Sequence, residues 1–455
     1  MAEEHLKTLT YRFSEKIVNA EPLNCDRAVI NARYALIDYL SAAFMGAGED
    51  SVDKLLSLIE DEGGSEDIPV IGRKTEASML QSALVNGYSG HILDFDDVHS
   101  DVRGHPSTVI FPTLISLAAN YDVSGKRFIA AYIVGLEVMC RLGRAVGKSH
   151  YLKGWHNTST LGTIAAAAAG GYLLKFSVGE MEKVIGFAAT QSFGLRIQFG
   201  TETKPLHAGL AAQAAVRAVK FVQCGISGTS SVLDGKIGFF SVYGEGCDYA
   251  KNILTENWNR SWEIVEPGLW FKKYPCCSAS HHAIDAALEL FNKYKISTED
   301  IEEVKIIFPP DGDSALIYSK PENCREGMFS AEYVVALALS GQPLSRDKFK
   351  SSNIPEDIRK LMAKTRRYHD SSIDIAKDSV PYGRFTIVQL TTEDKRIYEA
   401  RVDCPRGAPG NGLSLDELKN KLRNSPVSKS AADKIIEVIL KLDTGEDLNR
   451  LLKLF

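Results

Sequence analysis

The chain has 455 residues, of which 44% are hydrophobic and 24% charged; these are ordinary globular values and leave room for more than one domain. They exclude a disordered chain, a collagen-like repeat and a disulfide-stapled miniprotein. With 53 Lys and Arg against 58 Asp and Glu the net charge is −5, so nucleic acid and acidic membrane are not expected partners, and an anionic ligand needs a local cluster of cations.

The first 225 residues read as successive helices. Residues 6–18 carry apolar side chains at helical spacing, and 28–45 place Ile30, Tyr34, Ile37, Leu40 and Phe44 on one face, with Asp26 as cap and Gly46 and Gly48 as stop. Further helices are expected over 77–93, 109–119, 127–146, 158–174, 178–193 and 208–223. Several are Ala-rich on most faces, which implies burial among other helices. Near residue 265 the character changes. Residues 303–308, 385–391 and 396–402 read as strands, and 282–294, 331–339 and 355–363 as helices. Helices return over 415–422 and 430–442. The fold class expected is mainly α: a large all-helical domain (1–265 plus 405–455) with an inserted smaller α+β lid domain (266–404).

The opening Met1-Ala2-Glu3-Glu4-His5 lacks the basic-then-apolar layout of a secretory signal. The most apolar run, 163–174, falls short of the roughly 20 residues a membrane span needs. A soluble, cytoplasmic protein is expected. The 8 Cys show no zinc or disulfide spacing, and Cys276-Cys277 reads as a tight turn of small residues. Gly143 to Ser149 imitates a phosphate-binding loop, but its spacing is one residue short and a helix precedes it where a strand is required. No Gly-x-Gly-x-x-Gly occurs, so no nicotinamide or flavin cofactor is indicated.

Four polar clusters remain. Asp94-Phe95-Asp96-Asp97-Val98-His99, followed by Asp101, Arg103 and His105-Pro106-Ser107, gathers carboxylates and imidazoles that must be paired if buried. Gly154-Trp155-His156-Asn157-Thr158, with His150 and Tyr151 just before it, puts His156 at a helix N-terminus, an end that favours anions and depresses an imidazole pKa. Lys204-Pro205-Leu206-His207 stands before an apolar helix. Lys273-Tyr274-Pro275-Cys276-Cys277, with His281 and His282, lies at the domain boundary, where Gly268 and Lys272-Lys273 suggest a hinge. Taken singly, each cluster also reads as a solvated loop or an ordinary helix cap.

Together, and with Phe329-Ser330-Ala331-Glu332-Tyr333, these blocks resemble the MmgE/PrpD family over nearly the whole chain. The resemblance implies a homodimer that needs no organic cofactor and no metal. It implies a site made of Asp94, His105, His156 and Lys204. Tyr151 matches a proton-transfer position of the epimerase branch, and Arg103, His207, Lys273, His281 and Tyr333 are the expected contacts to a small anionic carboxylate. Val98 stands where the decarboxylase branch has Thr, and Cys276 to Ser280 differs from that branch's His-containing turn. Both departures count against cis-aconitate decarboxylation. The expected activity is therefore a 2-methylcitrate dehydratase-like hydro-lyase, with cis-aconitate decarboxylase (itaconate-forming) or iminodisuccinate epimerase as alternatives. All three reactions make or protonate a carbanion beside a carboxylate. Two readings of other classes are a metal-dependent helical enzyme using Asp94, Asp96 and Asp97, and a non-catalytic helical scaffold.

Overall fold

A computed structural model describes residues 8–65, 67–445 and 448–455. The expected first helix therefore starts within them at Leu9–Val18, and the N-terminal leader positions lie outside the described residues. The chain is predominantly helical, with a four-stranded mixed sheet inserted late in the sequence. Most expected helices are present within a few residues, including Asp26–Gly46, Met79–His91, Ser107–Ala118, Gly125–Ala145, Asn157–Leu173 and Thr203–Gln223. No helix among the described residues is long and apolar enough to cross a membrane.

The Ala-rich pattern has the consequence that packing physics assigns to it. Every residue of Asn157–Leu173 is buried, so this helix runs through the middle of the others. Small side chains let neighbouring backbones approach closely. A Cβ on Gly209 would stand 2.2 Å from Leu84 O, and one on Gly87 would stand 2.8 Å from Gly209 Cα. Met79–His91 and Thr203–Gln223 thus touch through two glycines, where any larger residue forces them apart. That contact brings the end of one helix, at His91, against the start of the other, at Lys204.

Among the described residues two large hydrophobic cores result, with two smaller clusters beside them. One gathers side chains from Leu9 to Phe271 and again from Leu418 to Leu452. The other gathers side chains from Tyr274 to Ala400, joined by Phe199. In the second, strands β1 (Ile301–Phe308), β2 (Thr365–His369), β3 (Thr386–Thr392) and β4 (Ile397–Val402) run in the order β2-β1-β3-β4. β1 pairs parallel with β2 and antiparallel with β3, in the register Val304↔Thr365 and Ile306↔Val388. Val304, Ile306 and Phe308 alternate onto the buried face, where Ile284 and Ala287 of helix His281–Tyr294 join them.

Two local expectations change and a third holds. Asp26 is the first helical residue and not the cap, a position occupied by Cys25. Strand β2 was not expected: Thr-Arg-Arg-Tyr-His is a polar edge strand with one buried residue, so it carries no alternating apolar signal. Gly143 to Ser149 spans the end of one helix and the start of a short one, Gly147–Leu152, and no strand precedes it.

Candidate active site

The loop after helix Met79–His91 turns sharply at Asp94, whose φ of +48° lies in the left-handed region, where a short polar side chain is among the few tolerated. This turn aims the Asp94 carboxylate inward. Its Oδ1 accepts from Lys204 Nζ at 2.7 Å, and its Oδ2 lies 3.1 Å from Lys272 Nζ. Lys272 also donates to the Asp94 carbonyl at 2.7 Å. One buried carboxylate is thus held by two buried ammonium groups. These attractions outweigh desolvation and keep the Asp94 carboxyl well below the usual range.

Asp96 does the same work for imidazoles. Its carboxylate accepts from His91 Nδ1 at 2.9 Å, and His105 Nδ1 lies 3.2 Å from it, without hydrogen-bond alignment. His91 Nε2 accepts from Lys204 Nζ at 2.9 Å. An ammonium has only protons to offer, so His91 must carry its own proton on Nδ1. Burial holds that ring neutral, with its pKa pushed down to about 3 despite Asp96. Burial also lowers His105, whose backbone N–H is anchored on Thr158 Oγ1 at 3.1 Å. His156 sits at the start of helix Asn157–Leu173, and its Nδ1 is 3.1 Å from His207 Nδ1. Burial and then the Lys204 charge depress His156 strongly.

Behind this cluster the loop is clamped. Lys421 Nζ pairs with Asp38 at 2.7 Å and donates to the carbonyls of Phe95, at 2.6 Å, and Lys272, at 3.3 Å. Asp97 turns away to accept from the Ser107 hydroxyl, which lies 2.6 Å from Tyr132 Oη. Burial, with Asp38 nearby, raises the Asp97 carboxyl well above its usual value.

The cluster forms part of the wall of a cavity of about 500 Å³. Asp94, Arg103, His105, Tyr151, His156 and Lys204, all expected from sequence, line it together. The remaining expected contacts lie elsewhere. His207 stands behind His156. Lys273 lines a separate cavity with Phe95 and Lys421. His281 is buried beside Trp270 and Tyr274, at ring distances of 5.6 and 5.2 Å. The Tyr333 hydroxyl donates to Lys348 O within the second core. Conversely, sequence reasoning missed His91 and Arg384, and gave Lys272 only to a hinge. His91 hides in a helix of apolar and small residues, and Lys272 follows Leu269-Trp270-Phe271, where a buried lysine has no distinguishing pattern.

A metal has one conceivable seat among the described residues. His91, Asp94, Asp96 and His105 each present a ligand atom, all within 4.8 Å of one another. Asp97 is not in this set, so an Asp94–Asp96–Asp97 triad does not converge.

These depressed imidazoles predict acid lability. His91, His281 and His282 are pushed down to about 3 and His150 to about 4, chiefly by burial. Near pH 7 both the folded and the unfolded chain hold these rings largely neutral. As pH falls below about 6.5, only the unfolded chain takes up the protons, so stability declines. At pH 5.5 each ring accounts for a loss of about 1 kcal/mol. The melting temperature should drop by several degrees between about pH 7.5 and 5.5, and a flat calorimetric profile would contradict this.

The sequence matches the MmgE/PrpD N-terminal domain over residues 12–252 and the MmgE/PrpD C-terminal domain over residues 274–444. It is 25% identical to a cis-aconitate decarboxylase of Mus musculus, over 98% of this chain and 94% of that protein. It is 24% identical to one of Homo sapiens (97% and 93%) and 24% identical to one of Aspergillus terreus (93% and 90%). With both family domains matched in order and along most of its length, the chain belongs to the MmgE/PrpD family.

Proposed function

We propose that the protein is a lyase that decarboxylates a small unsaturated polycarboxylate of the cis-aconitate type. The observation that carries this reading is the Asp94–Lys204 pair at the cavity, with Lys272 holding Asp94 from behind and neutral imidazoles around it. Lys204 presents its positive charge to the cavity and is a partner for a carboxylate. The Lys204 ammonium uses one proton on Asp94 and one on His91, which leaves the third for the cavity. The bond between the leaving carboxylate and its carbon breaks, and carbon dioxide departs. The electron pair moves through the neighbouring double bond to the carbon beside another carboxylate. There the pair delocalises as an aci-carboxylate that Lys204 and His105 stabilise, and a proton from Lys204 closes the carbon.

Decarboxylation is favoured over the dehydration expected from sequence because the relatives above are named for it. Against it stands Val98, which lines the cavity without a hydroxyl. The test is incubation with cis-aconitate and with 2-methylcitrate in D₂O, followed by NMR. Carbon dioxide release and a singly deuterated unsaturated diacid from cis-aconitate are expected. Dehydration of 2-methylcitrate with no reaction of cis-aconitate would reinstate the dehydratase reading, and inertness towards both would remove the proposal.

The reaction is proposed to need no metal. The ligand atoms of Asp94 and His91 already face ammonium groups, at 2.7 to 3.1 Å, so a divalent cation there would lie against two lysines. Activity is expected to survive dialysis against EDTA, with substoichiometric metal on elemental analysis. Activity lost to EDTA and restored by one metal ion would overturn this.

A further inference from the structure

Part of the cavity's cationic lining is not used by the chemistry above. Arg384, just before β3, lines the cavity from the second core. Its strongest electrostatic neighbours are Tyr151, Cys277, Arg103 and Asp313, outside the Asp94–Lys204 group. One of its Nη atoms donates to Gly312 O. Among the described residues no carboxylate pairs with it: Asp313, the acid among its strongest electrostatic neighbours, is held by Arg367 at 3.2 Å and His369 at 2.7 Å.

Arg103 lines the same cavity from the first core. Its φ of +51° is left-handed, a conformation that costs a residue bearing a Cβ roughly 1–2 kcal/mol. Its guanidinium lies 5.9 Å from the centre of the Tyr151 ring. It too has no acidic partner among the described residues, because Asp101 is held by Arg144 at 2.6 Å. Burial lowers the Arg384 guanidinium from its ordinary value, and the Arg103 charge adds to this, as one cation does to another when no acid is paired with either.

We propose that Arg103 and Arg384 form a second anion subsite, which holds a substrate carboxylate other than the one that reacts. The inference rests on the carboxylate reading above and deepens it. The subsite makes the enzyme selective for acids that carry a remote carboxylate, and a carboxylate bound there bridges the two cores. A guanidinium suits this task because its planar fork matches a carboxylate through two parallel hydrogen bonds.

The test uses tricarballylate, a saturated and unreactive tricarboxylate, titrated calorimetrically into the full-length protein and its variants. Arg384→Gln should weaken binding by about 30-fold and Arg103→Gln by about 10-fold, as expected for charge-assisted hydrogen bonds. The double variant should lose clearly less than the product of the two, because both arms hold one carboxylate. Lys148→Gln, at the same cavity but with no role assigned, should change affinity by less than about threefold and serves as the control for the general field. With cis-aconitate, Arg384→Gln should raise KM far more than it lowers kcat, a split that damage to the fold would not produce. Should Arg384→Gln fail to fold, Arg103→Gln, at a residue that is itself exposed, carries the same decision. Losses no greater than that of Lys148→Gln, or strictly multiplicative losses, overturn the subsite while leaving the turnover reading intact. Failure of the unmodified protein to bind tricarballylate removes both.

Discussion

Lys204→Met is expected to lower kcat by at least about 10³-fold while leaving the protein folded. Of the two ammonium groups that hold Asp94, Lys204 is the one that reaches the cavity, so its loss removes both a cationic donor to the developing aci-carboxylate and the proposed proton source. Single donors to such an oxyanion contribute about 10²–10³ in rate and positioned acids about 10²–10⁴. The two contributions overlap in one residue, so their product is not expected. Met retains the length and much of the apolar stem, so the start of helix Thr203–Gln223 keeps its packing. Asp94 is not left as a bare buried charge, because Lys272 still pairs with its other oxygen at 3.1 Å. Circular dichroism should therefore be native-like. Single-turnover kinetics should show the loss in the step that forms the new carbon–hydrogen bond. Turnover above a tenth of the original would mean that Lys204 does not carry the reaction.

The contrast between Lys204 and Lys272 also shows what the sequence can reveal. Lys204 was identifiable because it stands in a compact polar block, Lys-Pro-Leu-His, ahead of an apolar helix. Lys272 makes the same kind of contact to the same carboxylate, yet it sits beside Lys273 in a run that reads as a domain junction. The antiparallel bridge between Val98 and Trp270 and the Lys421 ammonium shared by the Phe95 and Lys272 carbonyls bring it under the Asp94 loop. His91 was missed for a related reason. A histidine at the end of a helix of small and apolar residues looks like a core residue until the Gly87–Gly209 contact sets it against Lys204. The helices and strands β1, β3 and β4 were legible because their periodicity is local. The polar edge strand β2 carries no such pattern, and its parallel pairing with β1 exists only in the folded sheet. The expected contacts Lys273, His281 and Tyr333 illustrate the converse error. A position carried over from a family resemblance does not fix the direction of a side chain, and each of the three turns into other surroundings.

Asp96→Asn is expected to lower kcat by about 10²–10³-fold with little change in KM, and to move the acid limb of the rate profile. Asp96 lines no part of the cavity, so any effect must pass through the imidazoles it holds. With a carboxylate in place, His91 keeps its proton on Nδ1 and offers Nε2 to Lys204. An amide can instead turn its NH₂ towards Nδ1, which favours the tautomer with the proton on Nε2. That N–H would then face the Lys204 ammonium, donor against donor, and Lys204 would leave its position. His105 changes in a second way. Burial already lowers its pKa from the ordinary value, and the Asp96 charge partly opposes that. Removing the charge lowers it further, so the fall in kcat/KM attributable to protonating His105 shifts to lower pH even as the plateau drops. A role confined to packing predicts neither change, because Asn has almost the same shape as Asp. The deciding measurement is a pair of kcat/KM profiles between about pH 4.5 and 8. A lower plateau with an acid limb displaced downward identifies Asp96 as the residue that positions His91 and His105, whereas superimposable profiles would separate it from the reaction altogether.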